Sequence, residues 1–122
     1  MRIFVGAAVA VALVSATFAF AAQSRTGLYG DVTKGPLRPV CREDQPCEGP
    51  APNTTLIFSR YGRDVARTTT NDKGAYRIRL RPGRYTVRLG ARALIRTATP
   101  AAVRVPRTGF RRVDFFVDTG IQ

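Results

Sequence analysis

A chain of 122 residues with 20 Lys and Arg against 8 Asp and Glu carries a formal charge of +12, and 18 of the 20 bases are arginine. Such an excess favours anionic partners through long-range attraction, and arginine suits planar, bidentate contact with carboxylate or phosphate, although an arginine-rich codon usage would give the same composition. The chain has no histidine and only two cysteines, which removes the usual proton shuttle near neutral pH and leaves too few soft ligands for zinc.

Met1-Arg2 is a short positive start, Ile3 to Ala16 is apolar except for Gly6 and Ser15, and Ala19-Phe20-Ala21 has the small-x-small pattern of a signal-peptidase site. The expected organisation is a leader over 1–21, cleaved after Ala21, and one domain over 22–122 that is secreted or lodged in the periplasm or cell envelope. An uncleaved anchor is the alternative, because the apolar run is nearly long enough to span a bilayer. Loss of Arg2 with the leader would lower the charge from +12 to +11. No second apolar run follows, so no transmembrane segment is expected after cleavage. A domain of about 100 residues buries roughly 60–70% of its unfolded surface, enough for one core.

Thr26 to Val32 reads as a short strand with Leu28, Gly30 and Val32 on one side. Residues 33–53 hold five prolines (36, 39, 46, 50 and 52) and cannot form a helix or a central strand. So long a loop in a small domain needs a staple. Cys41 and Cys47, the only cysteines of an exported chain, are expected to supply it as a disulfide. Closing so short a ring is worth about 2 kcal/mol. Glu43, Asp44 and Glu48 lie in the same loop but lack the spacing of a calcium loop. Asn53-Thr54-Thr55 is a formal N-glycosylation acceptor.

From Thr55 the chain is a run of strands. Thr55 to Ser59 is β-prone, Tyr61-Gly62-Arg63-Asp64 turns it, and Val65 to Thr70 follows. Asn71-Asp72-Lys73-Gly74 reads as a hairpin turn. Tyr76, Ile78 and Leu80 then face inward against Arg77, Arg79 and Arg81, and after Pro82-Gly83, Tyr85, Val87 and Leu89 face inward against Arg84, Thr86 and Arg88. Residues 91–101 read as an irregular connection, Val103 and Val105 as a strand, Arg107-Thr108-Gly109 as a turn, and Val113, Phe115 and Val117 as the inward side of a last strand. The expectation is an all-β, seven-stranded antiparallel Greek-key β-sandwich.

Asp72-x-Gly74-x-Tyr76, Leu80-x-Pro82-Gly83-x-Tyr85-x-Val87 and the opening Gly27 to Val32 together resemble the signature of carboxypeptidase regulatory-like domains. These are transthyretin-like (prealbumin-like) sandwiches that serve as accessory or stand-alone modules of extracellular proteins. The resemblance covers about residues 27–118, and departs from the pattern in the cysteine loop and the ending at 113–120. It implies a fold more than an activity, and raises the alternative of a carrier for a small apolar ligand. The hydrolytic branch of transthyretin-like proteins depends on histidines and a C-terminal Tyr-Arg-Gly-Ser, and this chain has neither. Ser24 and Ser59 lie outside any nucleophile elbow. Asp114 and Asp118 would stand roughly 13 Å apart along a strand, too far to share a proton. No catalysis, cofactor or metal is expected.

Arg77, Arg79, Arg81, Arg84 and Arg88 remain. With Pro82-Gly83 as the tip of a hairpin, Arg81 would face Arg84, Arg77 would face Arg88, and Arg79 would lie between them opposite Thr86. Like charges directly opposed cost some tenths of a kcal/mol per pair. Two readings follow. The arginines are the wet side of a strand pair, or they are a docking face for an extracellular polyanion or another component of the cell envelope. Nucleic acid is the least favoured partner, because no aromatic residue interleaves on the arginine side to stack bases. The sequence leaves the oligomeric state open.

Overall fold

The computed structural model describes residues 25–121, so the expected leader and its cleavage after Ala21 lie outside the described residues. Among the described residues nine strand segments follow one another without a helix: β1 (Gly27–Gly35), β2 (Gly49–Pro50), β3 (Thr55–Arg60), β4 (Arg63–Thr69), β5 (Ala75–Arg79), β6 (Gly83–Leu89), β7 (Thr97–Val105), β8 (Phe110–Arg112) and β9 (Phe115–Asp118). Seven of them are four residues or longer. No helix among the described residues is long and apolar enough to cross a membrane.

The strands form one curled sheet in the order β2-β1-β9-β7-β6-β3-β4, with β5 and β8 also paired to β1. Curling comes from β1, which changes partners along its length. Its first half lies between β5 and β8, and its second half between β9 and β2. Gly30 marks the change: a Cβ there would strike the Val113 carbonyl at 2.3 Å. The sheet is mixed, which corrects the all-antiparallel expectation. β1 runs parallel to both β8 and β9, because the first and last strands lie side by side and run the same way. Alternation in a sequence fixes which side chains face the core, not the direction of a neighbour.

Inward residues of all layers meet in one core, in which Leu28, Leu56, Phe58, Leu89 and Phe115 are fully buried. Phe115 meets Phe58 edge-on at 6.4 Å and Tyr76 at 5.5 Å between ring centroids. Burial of each such side chain is worth about 1.5–3 kcal/mol. Tyr76, Ile78, Leu80, Tyr85, Val87 and Leu89 are all buried as the alternation requires. Both tyrosines turn their hydroxyls to backbone carbonyls, Tyr76 to Val113 at 2.6 Å and Tyr85 to Arg81 at 2.6 Å. The second contact, reaching back four residues, is the arrangement of a tyrosine corner.

Several local expectations change. β1 runs on to Gly35 between β9 and β2, so Thr33–Gly35, expected to open the proline-rich loop over 33–53, are central strand, and the prolines begin only after them. β5 and β6 are not a hairpin: β5 pairs with β1, whereas β6 pairs with β3 and β7. The Leu80 amide still bonds the Thr26 carbonyl at 3.0 Å. Only then does the chain cross at Arg81-Pro82, where proline offers no donor and suits neither hairpin turn type. The Asn71–Gly74 turn likewise joins strands that do not pair with each other. β7 begins at Thr97 rather than Val103, pairing first with β9 and Arg88. The last strand is broken at Val113-Asp114, where Val113 bonds back to Tyr29 at 2.8 Å.

Cys41 and Cys47 form the expected disulfide, with Cα atoms 5.5 Å apart. The loop is further held by Leu37, whose amide donates to the Cys47 carbonyl at 2.8 Å, and by Arg38, which donates to the Pro46 carbonyl. Gly49 and Pro50 then pair with Lys34 and Thr33 at the far end of β1.

Candidate functional site

Strand register brings the β3–β4 turn, the β5–β6 crossing, the β7–β8 turn and the start of β1 to one end of the sheet. Arg60 closes on Arg63, Ser59 lies beside Thr86, Gly83 beside Val105, and Gly27 between Arg79 and Phe110. Two clefts of about 930 and 690 Å³ open at this end. They adjoin along Arg60, Tyr61 and Tyr85, which line both. Arg84, Arg104 and Arg111 line the larger arm, and Arg79 and Arg81 the smaller. Among the described residues no carboxylate lines either one. Val65, Ala66 and Leu80 give the smaller arm an apolar side.

The centre of this trough is Arg60. Its guanidinium stands 5.1 Å from the Tyr61 ring centroid and 5.4 Å from that of Tyr85, and its Nη1 donates to the Pro82 carbonyl at 3.3 Å. Gly83 makes room, since a Cβ there would lie 2.7 Å from the Arg60 Nη2. Two aromatic rings and one carbonyl thus hold the guanidinium in place. Two pairs of arginines are directly opposed across strands at this end, Arg60 with Arg63 and Arg84 with Arg104. Like charges in that position are destabilising.

Tyr61 occupies the tip. Tyr61 and Gly62 alone connect β3 to β4, with φ of +53° and +75°, the positive values that a two-residue I′ hairpin turn demands of both positions. Asn, Asp or Gly usually fills the first, because the left-handed region costs an ordinary L-residue roughly 1–2 kcal/mol. Here a tyrosine stands in it with 89% of its surface exposed. The sequence reading spread the turn over four residues and so missed this strained aromatic. An X-Gly pair between two β-prone runs was the available signal.

The five arginines expected on one face are divided. Arg77 lies over the Phe110 ring at 3.8 Å from its centroid. Arg88 forms a bidentate pair with Asp64, both contacts at 2.6 Å. Arg79 and Arg81 border the smaller cleft and Arg84 the larger. The expected oppositions of Arg81 with Arg84 and of Arg77 with Arg88 do not occur, since β5 and β6 belong to different ladders. Arg60, Arg104, Arg111 and Tyr61 are the additions that sequence reasoning did not make. Tyr61 also places one aromatic ring among the arginines, where alternation had suggested none.

Acidic residues lie elsewhere or are engaged. Arg112 bridges Asp31 at 2.9 Å and Asp114 at 3.2 Å, while Asp118 accepts from the Gly120 amide at 2.8 Å. Asp114 and Asp118 thus serve separate local contacts. Glu43, Asp44 and Glu48 are exposed on the cysteine loop, and among the described residues no three potential metal ligands come together. Asn53 is exposed with a φ of +51°. It borders a third hollow of about 750 Å³ on the outer side of β3, where Arg67, Arg88, Arg92 and Arg96 also lie. No family model matches the chain, and no curated protein matches it either.

Proposed function

We propose that the chain is a secreted, non-catalytic module of the carboxypeptidase regulatory-like, transthyretin-like type, a Greek-key sandwich in essence, that docks an anionic polymer or surface of the cell exterior through its arginine-lined end. The observation that carries this reading is the pair of adjoining clefts bordered by six arginines and no carboxylate. The residues that carry the resemblance have structural roles that agree with this reading: Tyr76 donates to the Val113 carbonyl and Tyr85 to that of Arg81, Leu80 is buried, and the Pro82 carbonyl accepts from Arg60. Apolar side chains line both clefts as well, and it is the arginines among them that favour docking of an anion over the carriage of a small apolar ligand. The disulfide agrees with an oxidising compartment.

The test is retention of the purified protein on an immobilised polyanion across a salt gradient, beside two triple variants of equal charge. Arg81, Arg84 and Arg104 changed to Ser should elute much earlier than Arg38, Arg42 and Lys73 changed to Ser, three cations that line none of the clefts described above. Binding that depends on several phosphate- or carboxylate-paired arginines also falls steeply with salt. Equal shifts in the two variants would remove the reading, leaving only diffuse charge.

A further inference from the structure

Tyr61 is the residue that electrostatics alone does not explain. A positive-φ tip position favours Asn or Gly, and an exposed aromatic ring gains nothing from solvent. Yet the residue stands 89% exposed at the point where the two clefts meet, with Arg60 over its ring. Residues held in costly backbone conformations cluster at binding sites, where surrounding structure maintains them. A trough with a flat aromatic face at its divide and guanidinium groups along both arms fits a chain that alternates flat, C–H-lined rings with acidic groups.

Resting on the docking reading above, we propose that the polymer is an acidic polysaccharide, a chain of sugar rings bearing carboxylates, and that Tyr61 is the platform on which one ring lies. The electron-rich face of the phenol ring meets the C–H face of a pyranose. Carboxylates of the sugars on either side then reach Arg60 and the arginines of each arm, whose forked donors match a carboxylate in two-point contact. One platform suffices, because neighbouring sugars are held by their charged groups. Single-stranded nucleic acid needs a succession of such platforms, and the clefts hold one exposed ring. Polyphosphate would use the arginines and leave Tyr61 without a partner. A bilayer would bury the tip but not thread both arms.

The experiment compares wild type, Tyr61→Asn and Tyr61→Phe by calorimetric titration with an oligogalacturonate and, at equal charge concentration, with polyphosphate, single-stranded DNA and anionic phospholipid vesicles. Tyr61→Asn relieves the turn, so its melting temperature should equal or exceed that of wild type, and lost binding then cannot be lost folding. Oligogalacturonate affinity should fall about three- to tenfold in Tyr61→Asn, the range of one aromatic contact, and return in Tyr61→Phe. Polyphosphate binding should change little in Tyr61→Asn, because Tyr85 and the Pro82 carbonyl still hold Arg60, and not at all in Tyr61→Phe. Unchanged oligogalacturonate affinity in Tyr61→Asn overturns the platform. DNA or vesicles bound more tightly than the uronate, with the same dependence on Tyr61, would overturn the sugar in favour of that partner. Equal binding of every polyanion without regard to Tyr61 removes this inference and leaves the docking reading standing. Binding of none removes both.

Discussion

At Asp64, Arg88 donates from both terminal nitrogens at 2.6 Å and Ser59 adds a hydrogen bond at 2.7 Å. The guanidinium first, and the Ser59 hydroxyl second, hold the Asp64 carboxyl well below the usual carboxylate range. Both partners of the ion pair are partly exposed, at 41% and 43%, so the interaction is screened and its energetic contribution is small. Its direction with pH is nonetheless fixed. A carboxyl whose pKa is depressed by folding contributes stability above its unfolded pKa of about 3.9, and that contribution disappears as pH falls through the lower folded value. The difference in urea midpoint between wild type and Asp64→Asn should therefore stay constant from about pH 7 to about pH 4 and shrink only below that. A difference that shrinks already near neutrality would mean that the pair does not hold the proton off. None of this contact is legible in the sequence, because Asp64 and Arg88 are 24 residues apart and meet across β3.

Strand faces were legible and strand neighbours were not. Alternation from Tyr76 to Leu89 correctly placed six inward residues. The same alternation arises when two strands form a hairpin in one layer and when they arch over a core between two ladders. In both, the apolar residues point inward and the arginines outward. What separates them is the link, and Pro82 was the informative residue, since it suits neither two-residue hairpin turn. The opposed arginines that a hairpin would have made are found instead between β6 and β7, at Arg84 and Arg104. Changing either one to Ser should raise stability in urea by some tenths of a kcal/mol at low salt, and the gain should fade as the Debye length shortens. The double variant should gain less than the sum of the two singles, since one change already ends the repulsion. Arg77 and Arg88, on different ladders, should show no such coupling. Additive effects at Arg84 and Arg104 together with coupling between Arg77 and Arg88 would restore the hairpin.

Across the whole molecule the arginines of the two clefts are gathered from strands distant in sequence. Arg60, Arg81, Arg84 and Arg104 gather where β1 begins. The cysteine loop, where Glu43, Asp44 and Glu48 accompany Arg38 and Arg42, stands by the other end of β1, where Gly49 pairs with Lys34 and Asp118 lies opposite Gly35. The composition announced an excess of arginine, but which arginines meet depends on register between distant strands, which no local pattern encodes. The two ends can be separated experimentally. Replacing Cys41 and Cys47 by Ser opens a ring too small to govern the core, so it should cost about 2 kcal/mol in the chain-entropy account. The loop's remaining ties, Leu37 to Cys47 and the β1–β2 pairing, are backbone contacts that the substitution leaves chemically intact. No residue of the loop lines either arginine cleft. Polyanion retention of the doubly substituted protein should therefore match wild type at temperatures where both are folded, while thermal melting reports the lost stability. Retention that falls together with melting would place the binding surface at the disulfide loop instead, since a polymer held by the arginine end has no contact there to lose.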